Sequence, residues 1–275
     1  LLVRIITGII GIAAAAFVIQ TGGVVFAGFT LLLMLLAWFE YARAFSERGM
    51  GLALFTGLVV LGLTWYAAWQ RPEYLALAWP LTVLITLLES VLMRSTTNIM
   101  EALASGAGLI YIGFPFVCLL QLRGMMPETV FNTDIGSFTF GCAFVWIMFI
   151  GTWASDTFAY FTGTAIGRHK LCPSISPNKT VEGFMGSLVG TTAAVAGLGY
   201  YLQLPLQEMA VLGLLIAVLA TLGDLVESVA KRYVGIKDSG NIIPGHGGVW
   251  DRFDSVLFTA PLVYFFVQFV NLLGK

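Results

Sequence analysis

Apolar runs of roughly twenty residues, separated by short polar breaks, set the pattern of this chain from one end to the other. Nine can be read: 2–19, 24–39, 50–69, 74–93, 102–122, 135–153, 183–202, 209–222 and 255–270. The breaks are abrupt, as in Gln20-Thr21-Gly22-Gly23 and Gln70-Arg71-Pro72-Glu73. A hydrocarbon core about 30 Å thick needs about 20 helical residues to cross it, and a helix satisfies its own backbone there. A lipid-facing β-barrel would instead alternate polar and apolar positions over strands of about ten residues. The pattern therefore predicts an all-α polytopic membrane protein with about nine transmembrane helices. The first run follows Arg4 without a small-residue cleavage site, and further runs follow at once. That favours a retained helix over a signal peptide.

Composition agrees: 58% of the residues are hydrophobic and only 11% charged, against roughly 25% charged in soluble domains. The net charge of −1 offers nothing to nucleic acid. Cys118, Cys142 and Cys172 have no metal or disulfide spacing and read as packing residues. With nine crossings and a cytoplasmic N-terminus, eleven of the fourteen Lys and Arg residues fall on the cytoplasmic side and three, Arg71, Arg123 and Lys275, on the other. That bias supports this orientation and puts the C-terminus outside. The chain is expected to divide into helices one to five over 1–134 and a second part, helices six to nine, over 135–275. The cytoplasmic loops 162–182 and 223–254 belong to the second part. The expected location is the cell (inner or plasma) membrane, with the site facing the cytoplasm. Gly183, Gly186, Gly190 and Ala194 suit close helix packing.

Charge is concentrated in 223–254, GDLVESVAKRYVGIKDSGNIIPGHGGVWDRFD, which holds nine of the 29 charged residues. Ionisable groups at membrane depth are functional candidates by default. Asp224 and Glu227 are three apart and share a face if the helix continues, with Lys231 one turn on. Glu227 and Lys231 also fit an ordinary helix pair. Asp224 directly follows an apolar run, where a carboxylate needs protein, water or a cation. Asp251 and Asp254 repeat the spacing, although Asp254 also fits a helix cap. Oxygen ligands of this kind suit Mg²⁺ shared with substrate phosphates. In the intervening SGNIIPGHGG, glycines expose amides that could wrap an anion. His246 could donate to a phosphate, move a proton or simply brace the loop.

The loop 162–182 adds Arg168, His169, Lys170, Lys179, Ser174, Ser176, Thr180 and Glu182. Basic groups, hydroxyls and glycines together suit phosphate recognition, although no P-loop pattern is present. Asp156 and Tyr160, four apart, could line one wall. By chemistry alone this is a membrane enzyme handling phosphate groups with a divalent metal. A transporter would place its charges near the midplane in related halves.

The block Ser228, Lys231, Arg232, Lys237, Asp238, Pro244, His246, Gly247, Gly248, Asp251, Arg252 and Asp254 resembles the signature of the phosphatidate cytidylyltransferase (CDP-diacylglycerol synthase) family, bacterial type. A second block, Ser176, Pro177, Lys179, Thr180, Glu182 and Gly183, is similar to that family's Ser-Pro-x-Lys-Thr-x-Glu-Gly core. The resemblance implies that CTP and phosphatidate, the latter within the bilayer, give CDP-diacylglycerol and pyrophosphate in phospholipid biosynthesis. It also implies a Mg²⁺-dependent paired metal centre and a homodimer. Carried onto this chain, it makes Asp224 and Asp251 the expected metal ligands, supported by Asp254 and Glu227. Lys179, Lys237 and Arg232 would share the phosphate charge, with His246 in a catalytic role. Ser176, Thr180, Asp238, Gly247 and Gly248 would contact CTP. The rival readings are a CTP-dependent lipid-alcohol kinase, a polyprenyl-lipid cytidylyltransferase and a phosphate-coupled transporter.

Overall fold

The computed structural model describes residues 2–93, 98–242 and 247–273, with side chains from 6 to 270. Among these residues ten α-helices follow one another: α1 Leu2–Thr21, α2 Gly23–Glu47, α3 Leu54–Gln70, α4 Leu75–Leu92, α5 Ile99–Arg123, α6 Phe140–Ile166, α7 Val181–Tyr201, α8 Leu206–Val234, α9 Val249–Phe253 and α10 Val256–Leu273. Two short antiparallel hairpins interrupt them, β1 Val130–Thr133 with β2 Gly136–Thr139, and β3 Lys170–Cys172 with β4 Ser176–Thr180.

The expectation of nine membrane spans is corrected. Among the described residues six helices are long and apolar enough to cross: α2, the segment Pro72–Leu92 that includes α4, α5, α6, α7 and α8. The apolar stretches Ile6–Thr21, Leu54–Gln70 and Val256–Val270 are shorter. The α3 region shows why the apolar run misleads. Ala53 lies outside the helix, and Arg71 is pushed to φ −146°, ψ 62° by the proline that follows it, which disfavours helical geometry in the preceding residue. The remaining 17 residues rise about 26 Å, short of a core of about 30 Å. The opposite placement of the two termini rested on an odd number of crossings and loses that basis.

The chain divides into two compact units. One comprises Leu1–Gln121 with Lys231–Phe253, the other Leu122–Ala230 with Asp254–Lys275. In the first, Met34, Ala37 and Trp38 of α2 are fully buried, as are Leu109 and Ile112 of α5 and Trp250 of α9. Trp38 donates its indole N–H to the Leu54 carbonyl at 3.1 Å. At the start of α5, Asn98 and Glu101 cap each other's amides at 2.9 and 3.0 Å, the reciprocal arrangement of a capping box. The same Glu101 accepts from Gly51 N at 2.9 Å and so ties down the loop before α3.

In the second unit α6 and α7 lie against each other. Gly183 faces the Ala159 carbonyl and the Gly163 Cα, while Gly186 and Gly190 face Thr162 and Phe158. Small residues here let the two backbones approach. Buried hydroxyl pairs cross the interfaces: Ser155 with Ser187 at 2.8 Å, and Thr152 with Thr259 at 3.0 Å. Along α8 the buried positions Leu212, Ile216, Ala220, Gly223 and Glu227 follow the three-to-four spacing of one helix face. An acid thus continues the apolar stripe. The helix ends where Gly235 adopts φ +84°, with Gly235 N and Ile236 N both donating to the Lys231 carbonyl at 2.9 and 3.0 Å, a glycine stop.

Candidate active site

Continuation of α8 beyond its apolar run places Asp224 and Glu227 on one face, as their spacing requires. The turn before α10 brings Asp254 beside them, held by Ser255, whose hydroxyl donates to the Ala220 carbonyl at 3.1 Å. The bare Cα of Gly223 permits this approach, since a Cβ there would meet the Asp254 carbonyl oxygen at 2.7 Å. Asp224, Glu227 and Asp254 each offer a carboxylate oxygen, and these oxygens all lie within 4.8 Å of one another. Glu227 is buried; the two aspartates are half-buried.

Three carboxylates held so close repel one another, and a cation among them would relieve that repulsion. One stands there already: Lys179 Nζ is 2.6 Å from Asp224 Oδ2, and Ser228 Oγ donates to Asp224 Oδ1 at 3.3 Å. The donor set also fits a hard divalent ion. Carboxylate oxygens are the ligands such an ion prefers, and rotation of these three side chains could draw them onto one ion.

Lys179 is delivered by the β3–β4 hairpin, which runs directly into α7. Thr180 caps that helix, its Oγ1 accepting from Gly183 N at 3.1 Å. Glu182 latches the hairpin's other end: its carboxylate accepts from Arg168 N and His169 N and lies 2.6 Å from His169 Nδ1. Ser176 opens β4 and is half-buried. The helix N-terminus, a cap hydroxyl and a lysine are therefore contiguous here, an arrangement suited to an anion.

Asp251 lies in the other unit and outside that triad. It is buried in α9 with Lys231 Nζ 3.0 Å away. It also accepts from Ser239 N at 2.9 Å and Gly248 N at 2.9 Å. Gly247, at φ +86°, has room for no side chain, because a Cβ would stand 2.6 Å from Asp251 Oδ2. Gly247→Ala is expected to lower stability by about 1–3 kcal/mol, read as a fall in the thermal midpoint of the detergent-solubilised protein. Arg232, Lys237 and Asp238 are exposed, Arg232 donating to the Ile236 carbonyl at 3.3 Å. His246 lies outside the described residues.

One residue escaped the sequence reading. Glu40, near the end of the α2 apolar run, is 2% exposed. Its Oε2 accepts from Trp250 N at 2.8 Å and Ser239 Oγ at 3.2 Å, and Gly240 and Gly248 pack against it. It braces both sides of the segment that carries Asp251. Only its place on the inward side of an apolar helix could have signalled this.

Apolar helices bearing a carboxylate triad, a lysine and a capped helix N-terminus define an integral membrane enzyme built to hold a cation and phosphate groups. The comparisons with known proteins are specific within that class. The chain matches the cytidylyltransferase family over residues 2–270. It is 37% identical to a phosphatidate cytidylyltransferase of Synechocystis, covering 96% of this chain and 95% of that protein. It is 34% and 32% identical to the phosphatidate cytidylyltransferases of Bacillus subtilis and Staphylococcus aureus, covering 95% of this chain and 96% of theirs. The chain belongs to this cytidylyltransferase family.

Proposed function

We propose that the enzyme transfers the cytidylyl group of CTP to phosphatidate in the membrane, forming CDP-diacylglycerol and pyrophosphate for phospholipid biosynthesis. The observation that carries this reading is the family match along nearly the whole chain, together with a carboxylate triad beside Lys179. A lipid phosphate with a second pKa near 6 is already a nucleophile at neutral pH. Its oxygen forms the new bond to the α-phosphorus of CTP, and the bond to the β-phosphate oxygen breaks with its electron pair leaving in pyrophosphate. No proton need be removed, so the protein's task is alignment and charge cancellation.

Asp224, Glu227 and Asp254 would hold Mg²⁺, which when bound supplies neutralisation of phosphate oxygens. Lys179 meets the phosphates from the hairpin side, and Thr180 and Ser176 orient them at the start of α7. Lys237 and Arg232, both exposed, are assigned the outer phosphate charge, with Asp238 and the amides of Gly247 and Gly248 as further CTP contacts. His246 belongs to the same assignment. A second ion at Asp251 is part of the proposal and would require that carboxylate to exchange Lys231 for it. The cytoplasmic orientation of the site and a homodimeric assembly complete the reading.

The test uses purified protein in mixed micelles with phosphatidate, α-labelled CTP and a Mg²⁺ series. Label in a lipid product with equimolar pyrophosphate supports the proposal. Label leaving only as CDP would assign a kinase instead, and no turnover of CTP by folded protein would sink both.

A further inference from the structure

The ion pair between Lys179 and Asp224 joins two groups that the proposed reaction needs for different partners. Asp224 is a member of the triad suited to a divalent cation. Lys179 sits one residue before the helix cap that suits a phosphate. At 2.6 Å the ammonium is a direct competitor for the oxygen a metal would take. Neither partner is deeply buried, with side-chain exposures of 24% and 31%. A lysine's long, flexible arm can also leave such a pair without moving the backbone.

We propose that Lys179 is a stand-in cation: it neutralises Asp224 while the divalent ion is absent, and is released toward the CTP phosphates when that ion arrives. The inference rests on reading the triad as the metal site of the proposed reaction. Charge explains why the order matters. With Lys179 on Asp224 the ammonium is engaged by a carboxylate, and a triphosphate approaching it meets the negative charge of the acids beside it. Exchange changes both sides at once. The triad gains a doubly charged ion, and the ammonium becomes free for an anion at the start of α7. Productive CTP binding therefore depends on metal through this lysine, in addition to any direct metal–phosphate contact.

The closing experiment measures Mn²⁺ binding by electron paramagnetic resonance to the full chain in detergent, without nucleotide. Lys179→Met is expected to bind Mn²⁺ about fivefold more tightly than the native protein, the loss of a competitor worth about what a partly exposed ion pair contributes. Lys179→Arg should stay near the native value. In parallel, the native protein is treated with an amine-reactive reagent and the modified lysines are mapped. Modification of Lys179 should rise several-fold with Mn²⁺. Unchanged or weaker Mn²⁺ binding in Lys179→Met would overturn the inference, and so would Lys179 reactivity indifferent to Mn²⁺. The labelling arm needs no variant, so a misfolded substitution cannot mask the result. CDP-lipid formation by the native enzyme is scored separately: turnover with no exchange sinks only the stand-in role, while exchange with no turnover sinks the reaction.

Discussion

Asp224→Asn should abolish turnover to within the last part in a thousand while leaving the fold intact. The substitution keeps the shape and the contact with Ser228 Oγ, which sits at 3.3 Å. It removes the charge that both Lys179 and a divalent ion require. Charge neutralisation by a bound metal is worth several kcal/mol in the transition state, and about 4 kcal/mol is roughly a thousandfold in rate. The change should fall on kcat at saturating Mg²⁺. A thermal midpoint close to native would confirm that chemistry, not folding, has been lost. If Asp224→Asn kept a tenth of native turnover, the triad would not be the reaction centre, and the metal assignment would have to move to Asp251.

Lys231→Met should act in the opposite sense, on stability first. The Asp251 carboxylate has a side-chain exposure of 3%, and Lys231 of 13%. Withdrawing one partner of so buried a pair typically costs about 3–5 kcal/mol, because the remaining charge keeps its desolvation penalty. A large drop in the unfolding midpoint of detergent-solubilised protein is the expected result. The double substitution Lys231→Met with Asp251→Asn should recover much of it, since the stranded charge is gone. A single variant as stable as the native protein would mean that Asp251 is held without Lys231, with the amides of Ser239 and Gly248 among its partners.

The two predictions draw on residues whose legibility in the sequence was unequal. The spacing of Asp224 and Glu227 after an apolar run was enough to put both on one helix face, because helical periodicity is local. Their meeting with Asp254 was not legible from the residues, where Asp254 also fitted a helix cap; only the family resemblance placed it beside the expected metal ligands. Nor was the pairing of Lys179 with Asp224 legible. It joins positions 45 apart in the chain through a hairpin whose polar residues resemble any loop. Lys231 shows the same limit of locality: its one-turn spacing from Glu227 was legible, whereas its approach to Asp251, 3.0 Å away, was not.

Span counting failed for a related reason. Apolar composition reports what a segment can bury and says little about where its hydrogen-bonded turns begin and end. The twenty-residue run 50–69 was indistinguishable from a full crossing until the loop before Leu54 and the pre-proline Arg71 were seen to trim it. The small-residue stripe at Gly183, Gly186 and Gly190 was read correctly as packing, because glycine at one-turn intervals has few other uses in an apolar helix.

The 29 unbroken residues of α8 make the spacing between Glu227 and Lys231 a matter of phase. Adding or removing one residue between them would turn everything beyond by about 100°, swinging Lys231 to another side of the helix from the one that now meets Asp251. No loop is available there to absorb the slip. Length variation should therefore be tolerated in the turn at 202–205 that precedes α8 and be lethal within 224–231. A one-residue insertion scan scored by complementation would trace that boundary directly, with the forbidden interval ending near the glycine at 235.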